Sequence, residues 1–166
     1  MPKVTFVKSA RKDYPNQGIT KGESYYHWSF MSGGKGGPKI RSKRKPRPSQ
    51  LTQSEFWSQV LSWQESADDK TPELSDIESE IGELKSDIEA LRDEQLEKHD
   101  NLPPGLQDGP SGELIQGRYD ALDEAYNILD SIEIPSLEDL DFETPEEKAD
   151  QVWGEVRDAL SNISCD

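Results

Sequence analysis

The sequence predicts a mainly α-helical protein, a helical hairpin or coiled-coil-like bundle, preceded by a small N-terminal β-hairpin or short antiparallel sheet. Three observations lead there. Apolar residues alternate spacings of three and four over residues 74–91 and again over 115–129, the signature of helices with one buried stripe. An aromatic run over residues 24–31 alternates at period two just before a glycine cluster, which reads as a strand and a turn. Charge divides the chain near residue 50. With 166 residues there is room for one ordinary domain or for a small domain with a tail. Only 31% of residues are hydrophobic, so the core is thin and must be concentrated in those stripes.

Four segments follow: a basic β-hairpin module (1–42), a basic Pro-rich linker (43–51), an acidic helical region (52–132), and an acidic loop with a C-terminal helix (133–166). Val4-Thr5-Phe6-Val7 is a short β-prone run, followed by turn signals through Asp13-Tyr14-Pro15-Asn16-Gln17-Gly18. In the strand at Ser24 to Met31, Tyr26, Trp28 and Phe30 share one face, and Tyr25, His27 and Ser29 share the other. Gly33 to Gly37 turns the chain, and Pro38 to Ser42 returns as a frayed strand. Lys43-Arg44-Lys45-Pro46-Arg47-Pro48 has no core-forming residue and reads as a stiffened connector.

Thr52-Gln53-Ser54-Glu55 matches a capping box and predicts a helix over about 52–66, with Phe56, Trp57, Val60, Leu61 and Gln64 on one face. Leu74, Ile77, Ile81, Leu84, Ile88 and Leu91 then form a heptad seam. With Leu74 at position a, Lys85 and Arg92 fall at e and Glu80 and Asp87 at g, correctly signed for interchain pairs. Gln95 and Lys98 end the seam, and Gly82 within it costs about 1 kcal/mol of helix propensity. Pro103-Pro104-Gly105 and Asp108-Gly109-Pro110 stop any helix, and Ser111 caps the next. Ile115, Tyr119, Leu122, Tyr126 and Leu129 repeat the spacing. Two matched stripes, about 74–100 and 112–132, favour an antiparallel hairpin over a parallel zipper, because the hairpin buries both within one chain. Thr144-Pro145-Glu146-Glu147 starts the final helix, whose apolar face is Ala149, Val152, Val156, Leu160 and Ile163 with Trp153 beside it.

The formal net charge of -15 hides a split. Residues 1–50 carry 12 Lys/Arg against Asp13 and Glu23, a net of +10; residues 51–166 hold 7 basic and 32 acidic residues, a net of −25. Enzyme chemistry has little to draw on, with His27 and His99 the two histidines and Cys165 the single cysteine. No catalytic residue, cofactor or metal site is expected. Asp139-Leu140-Asp141-Phe142-Glu143 starts like a calcium loop but has Thr144 where the glycine belongs, and Lys35 among its glycines lacks the Ser/Thr of a phosphate loop. Asn162-Ile163-Ser164 is a glycosylation sequon by string alone. No apolar run approaches the ~18 residues of a membrane span, and no secretory h-region follows Met1, so a cytoplasmic setting is expected.

The basic module combines what nucleic-acid binding needs: cations for phosphates and flat rings for bases. Trp28 and Phe30 read as sheet core, which leaves Tyr25 and His27 as stacking candidates, with Lys35, Lys39, Arg41, Lys43, Arg44, Lys45 and Arg47 as the cations. DNA or RNA is the expected partner of residues 1–50. The same run could instead neutralise the acidic helices of its own chain or act as an import signal. The acidic helices are expected to bind a protein partner or to self-associate, in one version as a DNA mimic docking on a basic surface.

Lys21-Gly22-Glu23-Ser24-Tyr25-Tyr26-His27-Trp28-Ser29-Phe30, Gly33-Gly34-Lys35, and Pro46-Arg47-Pro48-Ser49-Gln50-Leu51-Thr52-Gln53-Ser54-Glu55-Phe56 are similar to a group of uncharacterised small proteins from phages and bacterial genomes. So are Leu102-Pro103 with Leu106-Gln107, and Gly112-Glu113-Leu114 with Gln116 and Arg118. The resemblance implies a phage or bacterial accessory protein, in the host cytoplasm if phage-encoded, and brings no activity with it. Separately, the aromatic strand, glycine turn and basic return strand over about residues 20–45 resemble the arm-binding β-sheet domain at the N-terminus of phage integrases. Gly36-Gly37-Pro38 departs from that domain, which starts its return strand with an aromatic or β-branched residue, and weakens the expectation of a third strand.

Overall fold

The computed structural model describes residues 1–32, 35–135 and 144–163, with the backbone alone at Ser32 and Lys35. The turn tip Gly33-Gly34, the acidic stretch 136–143 with its calcium-like string, Ser164 of the sequon and Cys165 lie outside the described residues. The chain forms two compact units, Met1–Ser62 and Trp63–Asp166. Their boundary falls within a helix, α1 (Glu55–Asp69), rather than in the Pro-rich linker. The linker is part of the first unit because Pro46 is buried, Pro48–Leu51 forms a 3-10 turn, and the Ser58 hydroxyl donates to the Ser49 carbonyl at 3.1 Å.

In the first unit, strands β1 (Thr5–Val7), β2 (Tyr25–Trp28) and β5 (Ile40–Ser42) make a three-stranded antiparallel sheet in the order β1-β2-β5. The third strand forms despite the Gly36-Gly37-Pro38 departure. Between β2 and β5, strands β3 (Met31–Ser32) and β4 (Lys35–Gly36) pair as a separate two-stranded ladder, which returns the chain so that Trp28 meets Ile40 and Tyr26 meets Ser42. The segment between β1 and β2 folds over one sheet face. It is tied by Ala10 N–H to the Glu23 carbonyl at 2.8 Å and by Gly22 N–H to the Ala10 carbonyl at 2.9 Å. Gly22 sits at φ 95, a left-handed conformation that disfavours any side chain, so this tie depends on glycine. Ala10, Ile19 and Tyr25 are buried together beneath it, with Val7 and Tyr14 packed alongside.

The helix start at Thr52 shifts by two residues. Ser54 is the cap of α1, its hydroxyl accepting from Trp57 N–H at 3.4 Å, while the Thr52 hydroxyl accepts from Ser54 N–H at 3.1 Å. Thr52 therefore shapes the approach to the helix instead of closing the Thr52–Glu55 box.

The second unit is helical. Helix α2 (Ile77–Asp100) packs antiparallel on α4 (Pro110–Ser131), the hairpin that the two stripes predict. Leu74, Ile77, Ile81, Ile88 and Leu91 are buried on one side and Leu122, Ala125 and Leu129 on the other, so α4 covers the seam a parallel zipper would use. The cations at the e positions serve the same hairpin. Lys85 bonds Asp130, Arg92 bonds Asp123 at 3.0 Å, and both lie over the Tyr126 ring at 5.1 and 5.2 Å. Gln95 continues the buried seam instead of ending it, at 0% exposure. The connector also differs from the expected loop. Pro104–Gln107 forms a short helix, α3, and α4 begins at Pro110 with Gly109, not Ser111, at its cap. Pro104 and Pro110 each sit in a first turn, where the missing N–H costs nothing. A Cβ on Gly112 would lie 1.7 Å from the Gln107 carbonyl oxygen, so only glycine lets α3 approach α4 this closely.

Helix α5 (Pro145–Ser161) opens on the predicted capping box: Thr144 accepts from Glu147 N–H at 3.2 Å, and the Glu147 carboxylate accepts from Thr144 N–H at 3.0 Å. Its apolar face is buried from Ala149 to Ile163, with Trp153 included. Trp153 Nε1 and Arg157 Nε both donate to the Ala67 carbonyl at 3.0 Å, satisfying an orphan acceptor at the end of α1. No described helix is long and apolar enough to cross a membrane.

Candidate nucleic-acid interface

The register of the basic sheet assigns its side chains to two faces. Thr5 pairs with His27 and Val7 with Tyr25, while His27 pairs with Arg41, so one face carries Val7, Tyr25, His27 and Arg41. Phe6 pairs with Tyr26, Tyr26 with Ser42 and Trp28 with Ile40, which defines the other. The separation of Tyr25 and His27 from Tyr26 and Trp28 follows the period-two reading.

Exposure does not. Tyr25 is 7% exposed, enclosed by Ala10, Ile19 and Tyr14, and its ring has no free face for a base. The Tyr14 and Tyr25 rings lie 5.7 Å apart, and a hydrogen bond between their hydroxyls holds the Tyr25 pKa up and the Tyr14 pKa down. The stacking role expected of Tyr25 is therefore corrected: the 8–24 segment uses that ring as core. His27 is half-buried, and burial, followed by the charges of Lys39 and Arg41, pushes its pKa down. At neutral pH its imidazole is uncharged and adds nothing to the attraction for phosphate.

Two of the cations are held within the fold. Arg41 lays its guanidinium over the Tyr14 ring at 4.2 Å and donates to Gln17 Oε1 at 3.3 Å and to the Lys39 carbonyl at 3.2 Å. Lys43 donates to Glu23 Oε1 at 2.9 Å. Glu23 also accepts from Thr20 N–H at 2.7 Å, and that backbone bond, followed by Lys43, pulls its carboxyl down to about 2. Both cations fasten the 8–24 segment to β5, a structural use invisible in a charge count. Lys39, just before β5, and Arg44, Lys45 and Arg47, beyond it, are exposed. The Lys35 side chain lies outside the described residues.

The rings that do face outward are not ones the sequence singles out for stacking. Phe6 is 51% exposed and sits 4.9 Å from the half-buried Tyr26 ring, on the face opposite Tyr25. Their common signal is the period-two position of Phe6 opposite an aromatic strand, which only the β1–β2 register reveals. Trp28, on the same face, is 4% exposed, so this face is covered at one end and open at the other. Among the described residues no cluster of His, Cys, Asp and Glu is arranged to hold a metal ion. No protein-family model, no curated protein and no solved structure matches the chain.

Proposed function

We propose that the chain is a non-enzymatic phage or bacterial accessory protein that contacts DNA or RNA through its basic N-terminal unit. Its acidic helical unit then serves a protein partner or self-association. The observation that supports this is the agreement of charge with fold. The unit ending at Ser62 carries 12 Lys/Arg against Asp13, Glu23 and Glu55, a net of +9, and the unit beginning at Trp63 carries the remaining −24. A domain of one strong sign attracts polyanions through counterion release, and an acidic partner domain limits how tightly they hold.

A salt titration of the full chain with DNA and RNA tests it. Affinity is expected to fall steeply between about 50 and 200 mM salt. The triple change Lys39→Ala, Arg44→Ala, Lys45→Ala is expected to flatten the slope by roughly 0.9 for each phosphate that is no longer neutralised. Absence of binding at low salt, or binding indifferent to salt, overturns the reading.

One observation favours a second reading, an acidic inhibitor that mimics DNA. Glu78, Glu80, Glu83, Asp87, Asp93 and Glu97 are all exposed along α2, carboxylates distributed over a helix of 24 residues. A basic partner captured by the full chain, retained by the triple variant and released on Glu83→Lys with Asp87→Lys would favour mimicry over nucleic-acid contact.

A further inference from the structure

We infer that the strand contacted by the basic unit is single-stranded, its unpaired bases stacking on the exposed Phe6 ring and the half-buried Tyr26 ring packed against it. The inference rests on the nucleic-acid reading above and narrows it to one class of ligand. An isolated exposed aromatic is ordinary surface, but Phe6 is not isolated. It packs at 4.9 Å on Tyr26, in the central strand of the sheet, and shares its face with Ile40, which is 38% exposed. Three strands about 4.8 Å apart make a short platform. Bases within a duplex show such a platform only their edges, whereas unpaired bases offer a whole π-face.

The other face cannot serve, because Tyr25 is buried there and the Arg41 guanidinium already occupies Tyr14. Cations flank the ring pair. Lys8 lies two residues beyond Phe6, and Arg44 two residues beyond Ser42, which pairs with Tyr26; both are exposed. Rings at the centre with lysine and arginine at the margins are what a sequence-tolerant single-strand site combines.

The experiment uses fluorescence anisotropy on the full chain with labelled oligothymidylate, oligouridylate and a duplex, each about 12 nucleotides long, within the span such sites cover. Single strands are expected to bind at least about tenfold tighter than the duplex at equal salt, and Phe6→Ala to weaken single-strand binding by about tenfold. The salt slope should not change, since every cation is kept. Phe6→Trp should retain binding and Phe6→Leu should weaken it about as much as Phe6→Ala, because Leu keeps the apolar contact with Tyr26 but not the π-face. Circular dichroism of each variant confirms the fold. A preference between the two single strands assigns DNA or RNA as the source, and either agrees with the inference. Duplex bound as tightly as single strand, or Phe6→Leu bound as tightly as the unaltered chain, overturns it and leaves the broader reading standing. Failure to bind any of the three oligonucleotides overturns the broader reading itself.

Discussion

In the acidic unit, closure comes from long apolar stripes: Ile77, Ile88, Leu122 and Val156 are each at 0% exposure. In the basic unit, the covered sheet face rests on Ala10, Ile19 and Tyr25, completed by polar ties. Yet the two treat their charges alike. The acidic unit uses its few cations internally, with Lys85, Arg92, Lys98 and Arg157 all paired to carboxylates. The basic unit does the same with two of its three acids: Asp13 accepts from Lys21 N–H at 2.6 Å, and Glu23 accepts from Thr20 N–H and Lys43. Most of the minority charge is therefore structural in both units, and each unit leaves an excess of its majority charge exposed, where it can meet a partner of opposite sign. What differs is how much of each fold depends on apolar packing, and that difference can be tested.

The largest effect is expected in the apolar seam. Ile88→Ala removes three carbons from a position with no exposure, and should lower the stability of the helical unit by about 2–5 kcal/mol. Urea denaturation followed by far-UV circular dichroism reads it; a loss under about 1 kcal/mol would mean that the seam collapses to refill the space. The next effect has the opposite sign. Gln95 Oε1 and Nε2 are buried without a hydrogen-bond partner among the described residues, and Gln95→Leu is nearly isosteric. It should raise stability by about 1–3 kcal/mol, the range for relieving an unsatisfied buried group. A drop instead would show that Gln95 fixes the hairpin register, as a polar seam residue can.

Gln95 also marks where the sequence stops being readable. The spacing from Leu74 to Leu91 is local and shows the helix by itself, but a polar side chain at the next seam position reads as an end. Only the continued cover of α4 makes it interior. The same limit applies to the sheet. Period two correctly separates Tyr25 from Tyr26, but which face is closed depends on residues 8–24 folding back, a long-range event without periodicity. The pairing of Tyr26 with Ser42 is likewise non-local, and the glycines before β5 conceal it. Composition places the positive charge in the right unit and does not distinguish Arg41, held on Tyr14, from the exposed Lys45. The final helix is fully legible because its start is a local chemical string, Thr144-Pro145-Glu146-Glu147.

A smaller effect separates clasp from ligand contact in the basic unit. Arg41→Lys keeps the positive charge but removes the planar group lying 4.2 Å over Tyr14. The cost should be about 0.5–1 kcal/mol, read as faster amide exchange at Ala10 and Gly22, whose N–H groups tie the folded-back segment. If Arg41 instead served phosphate, exchange would stay unchanged and affinity for nucleic acid would fall.

The smallest change concerns Glu23, and its value lies in the sign and the order of causes. The folded protein holds this carboxyl at about 2, below the ordinary carboxylate range, because its ionised form accepts from Thr20 N–H and Lys43. A lowered folded pKa means that the fold favours the ionised group. Its contribution is complete above the unfolded value near 4.5 and fades as pH falls toward about 2. Titrating the Glu23 carboxyl by NMR should therefore give a midpoint near the lower value. The backbone N–H of Thr20 is the larger cause and Lys43 the second, so Lys43→Ala should raise the midpoint only part of the way. A full return to the ordinary range in that variant would assign the clasp to the lysine alone. The folded-back segment would then depend on a cation that phosphate could compete for, instead of on its own backbone.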